Sequence, residues 1–145
     1  MARSGAGKTA LITKKLTIEK LSAAGDDQDE RRIFSSKGEM AQILNRVNEA
    51  FRHLVYWDLA PGGQERGHHY HLSKTENVYI LTGELELLLE DLESGVHEKV
   101  LVQAGDRLTI GPNLAHAYRS RKYSQVLEYA PGTYDPADTI PHKMS

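Results

Sequence analysis

The stretch from Gly63 to Gly83, GQERGHHYHLSKTENVYILTG, decides how this sequence is interpreted. His69 and His71 lie two residues apart, so on a β-strand their side chains point to the same face with Cα atoms about 7 Å apart. Two imidazoles arranged in this way can bind one metal ion, with ligand bonds of about 2.1 Å. Glu76 follows five residues later, and from the next strand it would reach such an ion as an oxygen ligand. The stretch therefore predicts a metal site built on neighbouring strands.

The residues after Gly83 have the pattern of a strand with one wet face. Leu85, Leu87 and Leu89 face one way and Glu84, Glu86 and Glu90 the other, which is the period-two pattern of a half-buried strand. Similar short segments continue to the end of the chain, separated by glycine-containing turns at intervals of about 8–12 residues. This organisation is typical of a sandwich or barrel. We predict that residues 51–145 form one all-β barrel domain.

The N-terminal third is less regular. Residues 1–10 are small and polar and are predicted to form a flexible tail. Residues 11–50 are predicted to be strands or a helix that packs on the barrel, and Leu11 to Leu21 fits either a strand or a short helix.

Residues 39–50 also fit two structures. Ser36 and Glu39 have the spacing of a helix capping box, and the apolar residues from Met40 to Phe51 follow a helical stripe. The same residues fit a short strand over 40–44 followed by a turn. The pattern alone leaves both alternatives open.

The bulk composition excludes several classes of function. The net charge is -2, which does not favour nucleic acid or an anionic membrane as a partner. The chain has no cysteine, so it has neither disulfides nor thiolate metal ligands, in keeping with a reducing compartment. No apolar run approaches the roughly 20 residues that span a bilayer, and the N-terminus lacks the apolar stretch of a signal peptide. We expect a cytoplasmic protein with a small-molecule partner.

The spacing of the opening stretch resembles the first motif of the cupin superfamily. The match covers every fixed position of Gly63-x5-His69-x-His71-x4-Glu76-x6-Gly83. The resemblance implies a double-stranded β-helix, the jelly-roll barrel of the cupins, preceded here by an N-terminal extension.

A second segment resembles the second cupin motif, Gly105-x5-Gly111-Pro112-Asn113-x2-His116. It departs from the usual pattern, which has proline at Gly111, glycine at Asn113 and asparagine at Ser120. The two motifs together imply one divalent metal ion, either zinc, iron, manganese or nickel. The ligands implied are His69, His71, Glu76 and His116.

The segment Arg66-Gly67-His68-His69-Tyr70-His71 is similar to an element of two groups of sugar-nucleotide enzymes. The 3,5-epimerases of 4-keto-6-deoxy sugars carry R-G-x-H-Y, and the 3,4-ketoisomerases carry R-G-x-H-x-H. This resemblance implies a keto-sugar isomerase or epimerase in which Arg66 binds substrate. The tail Tyr134-Asp135-x-x-Asp138 is similar to the ketoisomerase tail. The epimerases, however, have glutamine at the position of His71 and need no metal.

Isomerisation of a keto sugar requires a base that removes a proton next to the carbonyl. A histidine bound to metal is not free for this task, so Tyr118 and Tyr134 are the predicted catalytic residues, with Tyr70 a further candidate. His68 is predicted to face away from His69. The remaining histidines have no ligand spacing and are predicted on the surface: His53, His97 and His142.

Two other functions remain open from the sequence. The protein could be a metal cupin that binds a small ligand without catalysis, or an iron-dependent dioxygenase, because three histidines and a glutamate suit several metals. Exposed strand edges are usually covered, and cupins commonly cover theirs by dimerising. We therefore expect a homodimer to which Leu11 to Leu21 contributes.

Overall fold

The computed structural model describes residues 8–10 and 14–144, and in this part of the chain the regular structure is almost entirely β. A single 3-10 turn, Pro136–Asp138, is the only helical segment described, and no described helix has the length and apolarity to cross a bilayer. The strands are β1 (Lys8–Ala10), β2 (Leu16–Lys20), β3 (Arg32–Ser35), β4 (Gly38–Ala41), β5 (His53–Leu59), β6 (Glu65–His71), β7 (Glu76–Thr82), β8 (Glu84–Asp91), β9 (His97–Gln103), β10 (Asp106–Ile110), β11 (Leu114–Ser120), β12 (Ser124–Ala130) and β13 (Thr139–Pro141). The predicted all-β class is confirmed.

Two antiparallel sheets form the jelly roll. One has the strand order β1-β2-β10-β7-β12-β5 and the other β13-β6-β11-β8-β9, while β3 and β4 form a separate hairpin. The sheets pack against each other without closing into a continuous cylinder. Their inward residues form the main core, composed chiefly of Leu16, Ile18, Val78, Ile80, Leu85, Leu87, Leu89, Val102, Leu108, Ile110, Leu114 and Val126. The predicted inward face of β8 is thereby confirmed.

The turn between β7 and β8 depends on Gly83. Its φ of +96° lies in the left-handed region that L side chains rarely adopt. A Cβ at this position would come within 2.2 Å of Ser124 Oγ and 2.3 Å of the Tyr123 carbonyl oxygen. Only glycine therefore lets the chain reverse between Glu76 and the leucine-rich strand β8.

The N-terminal region differs from the expectations in part. The predicted loose tail includes Lys8–Ala10, which instead pairs with β2 as strand β1. The rest of that tail, residues 1–7, lies outside the described residues, as do residues 11–13. Within the segment that fitted either a strand or a helix, Leu16–Lys20 is a strand.

Residues 39–50 contain no helix. Met40 belongs to β4, and the chain beyond Ala41 is irregular, with Val47 fully exposed rather than part of a buried helical stripe. The amides and carbonyls of Arg31 and Gln42 extend the β3–β4 ladder at 2.9 and 3.1 Å. In the hairpin the backbone N–H and C=O groups pair between two strands, whereas in a helix beginning at Ser36 they would pair within one segment.

A buried ionic network fixes this irregular segment to the outer face of the first sheet. Glu30, which is fully buried, accepts from Arg46 at 2.6 Å and from Arg107 at 2.8 Å. Arg107 also binds Glu19 at 2.7 Å and donates to the Ile43 carbonyl. The network joins β2 and β10 to the loops on either side of the hairpin.

Candidate metal centre

Four side chains from three strands converge between the two sheets. His69 and His71 come from β6, Glu76 from the start of β7 and His116 from β11, and one potential ligand atom of each lies within 4.8 Å of all the others. Glu76 Oε2 is 3.4 Å from His71 Nε2 and 3.3 Å from His116 Nε2. The four residues predicted as ligands are thus brought together. The described residues contain no second group of this kind.

A β-bulge in β6 brings the two histidine-bearing strands into register. His69 lies opposite His116, but the register then shifts so that Gly67 lies opposite Ala117, which leaves His68 unpaired with a φ of 59°. A Cβ on Gly67 would lie 2.9 Å from the His116 carbonyl oxygen. Gly67 therefore permits the close approach of strands that aligns the ligands.

The same bulge determines where the neighbours of His69 point. The ring of His68 turns outward, as predicted, and bonds Glu65 at 3.0 Å. Arg66 falls opposite Tyr118, a residue of the inner core. The guanidinium of Arg66 thus lies on the barrel side of β6, 5.8 Å from the centre of the Trp57 ring.

The polar atoms of the cluster fit a divalent ion. His71 Nε2 and Glu76 Oε2 are buried and have no hydrogen-bond partner, an arrangement that is costly unless something else satisfies them. His116 Nδ1 lies 3.0 Å from the Leu114 carbonyl, to which its N–H can donate, and this leaves Nε2 as a lone-pair donor. His71 Nδ1 lies 3.3 Å from Thr139 Oγ1. These outer partners orient the rings as in metal-binding histidines.

The charge states of the cluster also suit a cation. Burial, followed by the charge of His116, lowers the pKa of His69 to about 4, so its imidazole is neutral near pH 7. Burial alone would raise the pKa of Glu76, but the close imidazoles of His116 and His71 outweigh it and hold the pKa well below the usual range. A neutral imidazole and an ionised carboxylate are the forms that bind metal.

The cluster forms one wall of a cavity of about 460 Å³ at the open end of the jelly roll. The cavity lies between edge strand β5 and the β6–β13 side of the other sheet. A second cleft of about 530 Å³ adjoins it and shares the side chains Lys74, Tyr134 and Thr139. The cavity is lined by His53, Val55, His69, His71, Lys74, Glu76, Glu128, Tyr134 and Thr139.

Glu128 is a site residue that the sequence analysis missed. Its Oε1 accepts a hydrogen bond of 2.7 Å from Trp57 Nε1. Burial and the negative charge of Glu76 raise the pKa of Glu128 well above its usual range, which favours the protonated form of this carboxyl. The period-two pattern of β12 could have revealed it. Val126 and Ala130 are buried, and Glu128 lies two residues from each of them, so it faces the same side of the strand.

The predicted tyrosines lie in three different environments. Tyr118 is buried under Trp57, its hydroxyl has no hydrogen-bond partner, and burial raises its pKa well above 10, so the phenolate that a base requires is disfavoured. Tyr70 packs on the outer face beside Met144 and away from the cluster. Tyr134 is 60 % exposed and lines the cavity.

Arg66 has no ion pair in the described structure. Its Nε donates to the Asp58 backbone carbonyl at 3.0 Å. The carboxylates that could have paired with it are engaged elsewhere, since Glu65 binds Arg119 at 2.7 Å and Asp58 accepts from the Tyr123 hydroxyl at 2.8 Å. Arg66 is an exposed residue, and this bond to Asp58 uses only its Nε.

His53, predicted at the surface without a ligand role, is half-buried and lines the cavity. Its position on edge strand β5 looked unremarkable in the sequence, since no ligand spacing includes it. His97 is exposed, as predicted, while His142 is half-buried and bonds Glu90 at 2.9 Å on the outer face.

The acidic tail supports the loop between His71 and Glu76. Asp138 Oδ1 accepts from the amide and hydroxyl of Ser73, and its Oδ2 accepts from the Lys74 amide, all within 3.0 Å. Asp135 accepts from the Ala137 amide at the start of the 3-10 turn. The tail therefore positions Lys74 where the two cavities meet.

The fold and the clustered histidines define a class of double-stranded β-helix proteins. Residues 55–128 match the cupin domain, and the chain belongs to this family. No curated protein matches the sequence.

Solved structures with the same fold include several sugar-nucleotide enzymes. A variant of the 3,4-ketoisomerase from Thermoanaerobacterium thermosaccharolyticum, in complex with TDP-4-keto-6-deoxyglucose, is 16% identical with a TM-score of 0.71, over 89% of this chain and 88% of that one. The TDP-quinovose 3,4-ketoisomerase from Campylobacter jejuni is 21% identical with a TM-score of 0.68, over 90% and 95%. The dTDP-6-deoxy-D-glucose-3,5-epimerase from Legionella pneumophila is 14% identical with a TM-score of 0.72, over 93% and 76%. At these identities the likeness establishes the shared fold.

Proposed function

We propose that this protein is a metal-dependent isomerase or epimerase of a keto sugar carried on a nucleotide. The observation that carries the proposal is the four-residue cluster facing a substrate-sized cavity, with Arg66 on the barrel side of β6. The resemblance of the Arg66–His71 segment to the sugar-nucleotide enzymes supports the substrate class. His71 distinguishes this chain from the metal-free epimerases.

His69, His71, Glu76 and His116 would hold the ion. Three neutral imidazoles and one carboxylate suit zinc, iron, manganese or nickel and leave coordination positions for other ligands. A divalent ion at this position would supply Lewis-acid stabilisation of negative charge on a substrate oxygen.

The protein's own groups would orient the sugar. Arg66 offers a planar fork that can bind a phosphate with two parallel hydrogen bonds. Protonated Glu128, held by Trp57, can donate a hydrogen bond to a sugar oxygen. Lys74 borders the second cleft, and its positive charge lowers the pKa of both His69 and Glu128. Lys74 and Glu128 line the cavity beside the cluster, and Arg66 lies on the strand that carries His69 and His71.

The function is tested by incubating the metal-loaded protein with TDP-4-keto-6-deoxyglucose and following the sugar by NMR. We expect new sugar signals from an isomer or epimer, and loss of turnover when the metal is removed and its return when metal is restored. A protein that binds metal but neither binds nor converts TDP-sugars would be a non-catalytic metal cupin or an enzyme of another substrate class.

We expect Arg66→Ala to weaken binding of TDP by tenfold or more, measured by calorimetry on metal-loaded protein. The loss of one charge-assisted contact, about 1.5–3 kcal/mol, corresponds to at least that factor because about 1.4 kcal/mol is tenfold. Metal content and melting temperature should stay unchanged, since Arg66 bonds only the Asp58 carbonyl.

Arg121→Ala is the matched control for Arg66. Arg121 is also an exposed arginine, paired with Glu84 at 3.3 Å on the surface, and its removal should leave TDP affinity unchanged. Equal affinity in the Arg66 and Arg121 variants would remove Arg66 from the substrate site.

We also propose that the protein is a homodimer to which residues 11–21 contribute. β5 and β9 end their sheets as uncovered edge strands in the described structure. Large apolar side chains are exposed near β5, including Leu54 and Tyr56. Light scattering at tens of micromolar protein should give twice the chain mass, and a monomer at that concentration would contradict the proposal.

A further inference from the structure

The proposed reaction needs a base that is free to accept a proton from carbon. The nitrogens of His69, His71 and His116 converge with Glu76 on one point, so these imidazoles are occupied when metal is bound. The base must therefore be another group that lines the cavity. Outside the cluster, the ionisable residues of its lining are His53, Lys74, Glu128 and Tyr134.

Three of these four groups suit other tasks. Glu128 Oε1 already accepts a hydrogen bond of 2.7 Å from Trp57 Nε1, so this carboxyl is engaged and is suited to orienting the substrate. Lys74 bears a positive charge suited to attracting an oxyanion. The Tyr134 hydroxyl can both donate and accept a hydrogen bond, which suits it to binding a substrate oxygen.

We propose that His53 is the catalytic base and that it removes the proton next to the substrate carbonyl. His53 lies on edge strand β5, opposite Ala130 in the register, with its ring in the cavity wall. It forms no hydrogen bond or ion pair with any other described residue, so its ring nitrogens are available. Histidine is the side chain best suited to accept and return a proton near neutral pH.

The neighbour of His53 supports this assignment. The Tyr134 ring centre is 5.8 Å from that of His53, and the planes are tilted by 37°. Tyr134 lines both clefts, so His53 lies beside a side chain that borders the two. A substrate in the cavity would lie between His53 on β5 and the cluster on β6, β7 and β11.

The proton balance closes without an added reagent. The C–H bond next to the ketone breaks, its proton passes to a His53 ring nitrogen, and its electron pair forms the double bond of an enolate with negative charge on the former carbonyl oxygen. Transfer of the neighbouring hydroxyl proton to that oxygen, with return of the His53 proton to the former carbonyl carbon, gives the isomeric ketone.

The inference rests on the proposed function and is tested with TDP-4-keto-6-deoxyglucose in D2O. Wild-type protein with its metal should exchange the hydrogen next to the ketone for deuterium, seen by proton NMR. His53→Gln should slow this exchange by about 100-fold or more, the usual contribution of a general base. Metal content and TDP affinity should remain within twofold of wild type. Imidazole added to His53→Ala should restore part of the exchange.

A binding measurement tests the same residue without turnover. TDP-glucose, which lacks the ketone, should shift the ring signal of His53 in a proton–carbon correlation spectrum, the signal being assigned by its absence from His53→Gln. The exposed His97 is the matched control, because His97→Gln should exchange at the wild-type rate.

The outcomes separate the two proposals. Wild-type exchange that persists in His53→Gln overturns the role of His53 and leaves the proposed function standing. A wild-type protein that neither exchanges nor converts the keto sugar overturns both. A His53 variant that loses TDP affinity in parallel with exchange makes His53 a binding group, which also overturns its role as base.

Discussion

His69→Ala combined with His71→Ala should reduce the metal content of tag-free protein from close to one divalent ion per chain to a background level, measured by elemental analysis after gel filtration. The double change removes two of the four ligand atoms that lie within 4.8 Å of one another. Glu76 and His116, 3.3 Å apart, would remain, and two ligands do not make the three- or four-ligand set on which protein zinc sites depend.

The matched control replaces two histidines on the outer face, His97 and His142, with alanine. These residues lie beside Glu90, outside the cluster, and their removal should leave the bound metal in place. Metal that survives in the His69/His71 variant would mean that the ion is bound elsewhere. Melting temperature gives a second readout, because an ion at 100 times its dissociation constant stabilises the folded state by about 2.7 kcal/mol. Chelation should therefore lower the melting temperature of wild type and not that of the double variant.

Part of the four-residue cluster could be predicted from the sequence because the spacing of its histidines carries the geometry. Period two places His69 and His71 on one face of β6, and this relation holds in any strand. Glu76 and His116 required more, since their approach depends on which strands are neighbours. The resemblance to the cupin motifs supplied that information, and the pairing of β6 with β11 agrees with it.

The residues that were misjudged or missed depend on tertiary structure. His53 and Glu128 have no spacing relation to the ligands, and they enter the cavity only because β5 and β12 are adjacent in the first sheet. Arg66 lies on the barrel side of β6 because the bulge adds one residue to this strand. The extra residue, His68, shifts the alternation of inward and outward side chains between Arg66 and His69. A one-residue irregularity of this kind changes which face a side chain takes, and periodicity alone does not reveal it.

The choice between helix and strand for residues 39–50 was decided by contacts distant in sequence. Arg46 binds Glu30, and Ile43 offers its carbonyl to Arg107 on β10. These interactions join residues 16 to 64 positions apart. Local pattern cannot weigh such contacts against a helical stripe, and the buried charges fix the irregular chain in place.

Glu30→Gln should lower the free energy of unfolding by about 3–5 kcal/mol, the cost of breaking a buried ion pair by removing one partner. Glu30 is fully buried, and its loss would leave Arg46 and Arg107 without the carboxylate that accepts from both. For a chain of this size the change corresponds to a melting temperature lower by about 10 °C. Urea and thermal unfolding of wild type and variant at pH 7 measure the effect.

The pH dependence and a control separate the buried network from general surface charge. Burial would raise the pKa of Glu30, but hydrogen bonds from Arg46, the Asn45 amide and Arg107 outweigh it and lower the pKa to about 2. A depressed carboxyl pKa stabilises the fold above the unfolded value of 4.5, and this stabilisation is lost as the pH falls through 2. The difference in unfolding free energy between wild type and Glu30→Gln should therefore shrink as the pH falls below 4.5.

Glu49→Gln is the control. It removes a partly exposed carboxylate 3.5 Å from the same Arg46 and should lower the free energy of unfolding by less than about 1 kcal/mol. Equal decreases in the free energy of unfolding of the two variants would show that the buried ion pairs of Glu30 stabilise the fold no more than a surface pair does.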